Sequence, residues 1–84
     1  MSKIVLITGA SSGFGKIIAE KLSDDGFIVY GTSRNPNKYP SPKKYKLLKF
    51  DITSFKDSFK LVEIILRENK KIDILINNAG VGFS

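Results

Sequence analysis

The chain has 84 residues with no cysteine and no histidine, so it supports one small domain at most and offers no thiolate or imidazole ligand for a zinc site or a disulfide. It carries 14 basic and 8 acidic residues, a formal charge of +6. The only apolar run near the N-terminus, Ile4 to Ile7, is too short for a signal peptide or a membrane span, and a cytoplasmic protein without membrane contact is expected.

Lys3 to Gly15, KIVLITGASSGFG, organises the rest. Ile4, Val5, Leu6 and Ile7 are consecutive and mostly β-branched, as in a parallel strand covered on both faces. After Thr8 the chain must turn, and Gly9, Gly13 and Gly15 permit backbone angles and close approaches closed to other residues. Phe14 to Asp25 then reads as a helix whose apolar stripe is Phe14, Ile17, Ile18 and Leu22. A helix N-terminus carries roughly +0.5 charge and unpaired N–H groups, so a phosphate suits this turn, with Ser11 and Ser12 adding hydroxyl donors. The spacing Gly-x-x-x-Gly-x-Gly is neither the usual dinucleotide fingerprint nor a P-loop, and a plain strand-to-helix connection remains the alternative.

Gly26 stops the helix, and Phe27 to Tyr30 opens a second strand ending near Thr32 or Ser33. Two strands joined by a helix make a parallel crossover unit. Dinucleotide sites place a ribose-binding carboxylate at this strand end, whereas this chain has Ser33-Arg34. An arginine fork there can pair with a 2′-phosphate, which argues for NADP(H) over NAD(H); a surface arginine at a strand end is the alternative. Pro36, Pro40 and Pro42 keep the next segment a loop. The excess charge gathers in Arg34, Lys38, Lys43, Lys44, Lys46 and Lys49. Beside Tyr39 and Tyr45 that stretch admits nucleic-acid contact, but no nucleic-acid module accompanies it, and a solvated loop partly facing a cofactor phosphate is preferred.

Lys46 to Phe50 reads as a third strand, with Asp51 at its carboxyl end, where ligands bind in open parallel sheets. Asp51 can accept from an adenine amino group or serve the next helix as a cap, and Ser54-Phe55-Lys56-Asp57 is a loose capping box. That helix runs to about Asn69, with Phe55, Phe59, Val62 and Leu66 as its expected core stripe and Leu61 and Ile65 widening it. Asp73 to Ile76 is a fourth strand delivering Asn77-Asn78-Ala79-Gly80 to the same edge. Side-chain amides there can line a ligand or tie strand ends together. Right-handed crossovers give an α/β, Rossmann-like open parallel sheet in the order 3-2-1-4, with the two helices on opposite faces.

Thr8-Gly9-Ala10-Ser11-Ser12-Gly13-Phe14-Gly15 resembles the Thr-Gly-x-x-x-Gly-x-Gly cofactor turn of the short-chain dehydrogenase/reductases, and Asn77-Asn78-Ala79-Gly80 resembles their Asn-Asn-Ala-Gly motif. Asp51-Ile52-Thr53 looks like their adenine-contacting aspartate at the end of the third strand. The resemblance covers the whole chain but only the start of that family's fold, before its fifth strand, its catalytic serine and its Tyr-x-x-x-Lys pair, so residues 1–84 read as the N-terminal part of one dinucleotide-binding domain with no second domain. It implies an NADP(H)-dependent hydride transfer between the nicotinamide and an alcohol or carbonyl substrate. The implied cofactor residues are Gly9, Ser11, Ser12, Gly13, Phe14, Gly15, Ser33, Arg34, Asp51, Ile52, Asn78, Ala79 and Gly80.

Tyr39…Lys43 and Tyr45…Lys49 both spell Tyr-x-x-x-Lys, but prolines forbid a helix at the first, and in a strand the second spans roughly 13 Å. No catalytic residue is therefore assigned within this chain. The fourth strand would be left with an open edge, for which self-association or a complementing C-terminal portion is expected. A non-catalytic nucleotide-binding module, a gene remnant and a basic nucleic-acid-interaction domain are the alternative functions.

Overall fold

A computed structural model describes residues 2–11, 13–51 and 53–78. The elements in chain order are β1 (Ile4–Ile7), α1 (Gly13–Asp24), β2 (Ile28–Ser33), a single 3₁₀ turn (Pro36–Lys38), β3 (Lys46–Lys49), α2 (Phe55–Asn69) and β4 (Ile74–Ile76). All pairings are parallel and the sheet order is β3-β2-β1-β4, as the crossover rule requires. Leu6 lies between Tyr30 of β2 and Leu75 of β4, and Tyr30 in turn neighbours Lys46 of β3. β3 ends one residue earlier than the sequence suggests and β4 begins one later: the Phe50 N–H still reaches Ser33 O at 2.9 Å, and Asp73 caps the sheet with its side chain.

β1 is buried at every position because each face carries a cluster of its own. Val5 and Ile7 pack with Ala10, Ala19, Val29 and Tyr45 on the α1 face; Ile4 and Leu6 pack with Tyr30, Leu61 and Ile65 on the α2 face. The glycine stop of α1 is present: Gly26 has φ +97°, and the Phe27 N–H donates to Leu22 O at 3.0 Å.

Each helix buries only part of the face expected of it. On α1, Phe14 is 78% exposed and Ile17 is also exposed, while Gly15 and Ala19 are buried and Ile18 and Leu22 are partly buried. The helix is turned so that its smallest residues meet the sheet, because its first turn touches the backbone of the preceding loop. On α2, Leu61 and Ile65 reach the sheet, whereas Phe55, Phe59, Val62 and Leu66 are exposed, Phe59 at 76%. Tyr30 explains this rotation: its hydroxyl donates to Glu68 Oε1 at 2.5 Å and accepts from Asn69 Nδ2 at 2.7 Å, and Lys46 Nζ grips both Glu68 oxygens at 3.0 and 2.9 Å. Successive residues turn about 100° around a helix, so the exposed stripe lies on the flank of α2 away from Glu68 and β3.

The capping box forms by half. Ser54 Oγ accepts from the Asp57 N–H at 3.2 Å, but Asp57 Oδ2 accepts from the Asp51 N–H at 3.1 Å, while the Ser54 N–H donates to Asp51 O.

Candidate cofactor site at the carboxyl edge of the sheet

The turn after β1 is held from both neighbouring strands. From β2, Thr32 Oγ1 accepts from the Gly9 N–H at 3.0 Å and Thr32 O from the Ala10 N–H at 2.8 Å. From the end of β4, Asn78 Nδ2 donates to Gly9 O at 3.0 Å. Thr8 Oγ1 sits between the two asparagines, donating to Asn77 Oδ1 at 3.1 Å and accepting from the Asn78 N–H at 2.9 Å. The Thr8 N–H continues the β4 ladder to Ile76 O at 3.0 Å.

Within this frame the glycines have distinct reasons. Gly9 and Gly13 have φ of +69° and +62°, in the left-handed region that disfavours a side chain. Gly15 has no such requirement; a Cβ there would lie 2.0 Å from Gly9 O and 2.9 Å from Asn78 Nδ2. Close packing of α1 on the turn is by itself sufficient to require glycine at position 15.

Along the edge, Ser11 is half-buried in the turn and Arg34 is exposed just past β2. Ser33 is buried, and its Oγ accepts from the Asn35 N–H at 3.2 Å, shaping the exit from β2. Asp51 Oδ1 accepts from both the N–H and the hydroxyl of Thr53, at 2.9 and 2.8 Å. Those two bonds hold the Asp51 carboxyl below its ordinary range, and the positive charges of Arg34 and Lys49 add to the effect. Asp51 thus serves the local turn before α2. Phe14 projects from the first turn of α1 towards solvent. Ser12, Ile52, Ala79 and Gly80 lie outside the described residues.

Asn77 and Asn78 do tie strand ends together. Four contributors were not singled out from the sequence: Ala10, Thr32, Gly31 and Tyr45. An isolated glycine inside a strand is a recognisable sign of close approach, and a Cβ on Gly31 would lie 2.5 Å from the Cβ of Ala10. Tyr45 Oη donates to Ala10 O at 2.7 Å from the buried side of the turn, a contact no local pattern announces. This also removes Tyr45 and Lys49 as a catalytic pair, since the hydroxyl is buried and β3 is extended.

The donor set fits a dinucleotide. The first turn of α1 holds no acidic residue and includes Lys16, its leading N–H groups have no partner within the helix, and Ser11 and Arg34 add a hydroxyl and a cation at the same edge. Residues 3–84 match the family described as short chain dehydrogenase. The chain belongs to the short-chain dehydrogenase family.

Among family members, the 3-ketodihydrosphingosine reductase of Bacteroides thetaiotaomicron is 51% identical over 80 residues, which cover 95% of this chain and 29% of that protein. The 3-oxoacyl-[acyl-carrier-protein] reductase FabG of Escherichia coli is 38% identical over 84 residues, covering 94% of this chain and 34% of that protein. The ligand-free aldohexose dehydrogenase of Thermoplasma acidophilum superposes with a TM-score of 0.80 at 34% identity, over 92% of this chain and 29% of that one. The NADP-bound structure of ElxO superposes with a TM-score of 0.77 at 29% identity, over all of this chain and 37% of that one. The chain therefore spans about a third of the length of the relatives it matches.

Among the described residues no helix is long and apolar enough to cross a membrane.

Proposed function

We propose that this chain is the NADP(H)-binding part of a short-chain dehydrogenase that reduces a ketone. The single observation that carries the cofactor choice is Arg34, exposed immediately after β2 where a ribose-binding carboxylate would otherwise stand. The charge of Arg34 acts on the Asp51 carboxylate, whose Oδ1 is already engaged with Thr53, so the guanidinium keeps its capacity to pair with a 2′-phosphate. The reductive direction is supported by relatives named as reductases of a 3-keto, a diacetyl and a 3-oxoacyl substrate.

In this reading the N–H groups at the start of α1 and the Ser11 hydroxyl bind the pyrophosphate, Arg34 the 2′-phosphate, and Ser12, Gly13, Phe14 and Ser33 border these two anchors. Asp51 and Ile52 border the adenine, and Asn78, Ala79 and Gly80 the nicotinamide ribose. The bound nicotinamide supplies the hydride. Asn78 contributes by holding Gly9 O, which keeps the turn in the shape the phosphates need.

The test is a titration of Arg34→Ala in the full-length protein. Losing a charge-assisted pair is worth about 1.5–3 kcal/mol, so NADPH affinity should fall roughly tenfold to a hundredfold while NADH affinity stays nearly constant. Equal weakening of both cofactors would overturn the NADP(H) assignment.

A further inference from the structure

We propose that Tyr45 is a positioning residue for pyrophosphate binding, acting through the backbone of Ala10. The inference rests on the dinucleotide reading above and adds a residue remote in sequence from the glycine turn. Ala10 is fully buried, and both of its backbone polar groups are tied: its N–H to Thr32 O at 2.8 Å and its carbonyl to Tyr45 Oη at 2.7 Å. A trans peptide is planar, with its C=O and the following N–H pointing in opposite directions. Holding Ala10 O towards the buried Tyr45 hydroxyl therefore aims the Ser11 N–H the other way, out of the core at the carboxyl edge. Tyr45 thus sets the direction of a donor in the turn it never touches from the ligand side.

The arrangement is fitted closely. A Cβ on Gly31 would meet the Cβ of Ala10 at 2.5 Å and the Tyr45 ring at 3.2 Å, so β2 uses its glycine to let the turn and the ring meet. Burial, followed by the charge of Glu20, pushes the Tyr45 hydroxyl above its ordinary range, so it remains a protonated donor at neutral pH. Tyr45 also closes the proline-containing segment that leaves β2 after Arg34, so one side chain links the loop near the 2′-phosphate anchor to the pyrophosphate turn.

Tyr45→Phe removes the hydroxyl and keeps the ring that packs beside Gly31. The Ala10 carbonyl then lacks its donor and the peptide is free to rotate, taking the Ser11 N–H with it. In the full-length protein, NADPH affinity should fall about tenfold, the loss of one well-placed hydrogen bond. Affinity for adenosine 2′-monophosphate, which carries the 2′-phosphate but no pyrophosphate, should stay within about twofold; this split is one that general loosening of the fold would not produce. A companion measurement needs no variant: in ¹⁵N-labelled wild-type protein the Ser11 amide resonance should shift with inorganic pyrophosphate and not with adenosine 2′-monophosphate. Unchanged NADPH binding by Tyr45→Phe, equal weakening of both ligands, or a Ser11 amide indifferent to pyrophosphate would each overturn the role of Tyr45 while leaving the cofactor reading in place. Failure of the wild-type protein to bind NADPH would overturn both.

Discussion

The Cβ position of Gly15 lies 2.0 Å from the carbonyl oxygen of Gly9, so α1 and the turn that feeds it meet backbone to backbone. The same oxygen accepts from Asn78 Nδ2, which makes Gly9 O the point where β1, α1 and the end of β4 converge. Gly15→Ala should therefore destabilise the protein by about 1–3 kcal/mol through overpacking against an atom that cannot yield. Gly13→Val acts differently, forcing a β-branched residue into φ +62°, and should abolish NADPH binding. Chemical denaturation for the first and cofactor titration for the second decide these outcomes; wild-type NADPH affinity in folded Gly13→Val protein would mean that the turn is a connection only.

Asn78→Ala removes the donor to a part-buried carbonyl, and the expected loss is about 1–3 kcal/mol with weakened NADPH binding. Asn78→Asp should be worse than alanine, since it turns a carboxylate towards Gly9 O. Thermal melts of the two variants, with and without NADPH, give the ranking, and an aspartate variant more stable than the alanine one would contradict the bond's direction.

Acid should loosen the α2 side of the sheet. Hydrogen bonds from Tyr30 and then Lys46 hold the Glu68 carboxyl below its ordinary range, and the Ile4 N–H followed by Lys71 do the same for Asp73. A lowered folded-state pKa means stability that is complete above the unfolded value, near 4, and is lost as pH falls through the folded-state value. Urea midpoints should thus be flat from neutral pH to about 5 and fall below about 4, with Glu68→Gln showing a shallower fall. A midpoint independent of pH in that window would show that neither carboxylate contributes.

Among the described residues β4 pairs with β1 alone, and this edge together with the exposed stripe of α2 should drive association of the 84-residue polypeptide with itself or with a complementing segment. Phe55 and Phe59 are almost bare, Leu75 on β4 is 63% exposed, and an unpaired strand edge is a template for another chain. Sedimentation should show mass rising with concentration, and Phe59→Glu together with Leu75→Lys should reduce it. A monomer at all concentrations would remove the basis for this expectation.

The 84-residue polypeptide by itself should not oxidise NADPH with any carbonyl substrate. It has no histidine; Tyr30 is committed to Glu68 and Asn69, Tyr45 to Ala10, and Tyr39 sits where the proline-rich segment is extended. None of these hydroxyls is placed to exchange a proton at the carboxyl edge. Steady-state absorbance at 340 nm is the check, and measurable turnover by the isolated polypeptide would refute it.

The parts of this fold that were legible beforehand are those written in local pattern. The apolar run of β1, the glycine stop at Gly26, the Ser54 cap and the crossover rule together specify strand order and helix placement. Helix orientation was legible only in part: Ile18, Leu22, Leu61 and Ile65 face the core as expected, but counting large apolar residues also favours Phe14 and Phe59, whereas close approach favours Gly15 on α1 and the Tyr30–Glu68–Asn69 contacts turn α2. At the site, Gly9 and Gly13 could be found from the glycine spacing after β1, and Asn78 from the resemblance of Asn77-Asn78-Ala79-Gly80 to a family motif. Thr32 and Tyr45 could not, since their roles depend on a register between strands and on a hydroxyl reaching 35 residues back to Ala10.

β1 is the first strand made and occupies an interior position of the sheet, with β4, the last, as one of its two neighbours. During synthesis the chain can dock α1 and β2 onto β1 early, but Asn78 is needed to hold Gly9 O, and it lies 69 residues further on. Contacts of such wide separation form late, after the loop-closure entropy of the intervening chain has been overcome. The nascent polypeptide must therefore pass through a stage in which β1 is paired on one side only and the glycine turn is held from β2 alone. On the proposed reading, the turn takes its full nucleotide-binding shape only when β4 closes on β1, so the flank of β1 that β4 covers stays bare to other chains until residues 74–78 have been made.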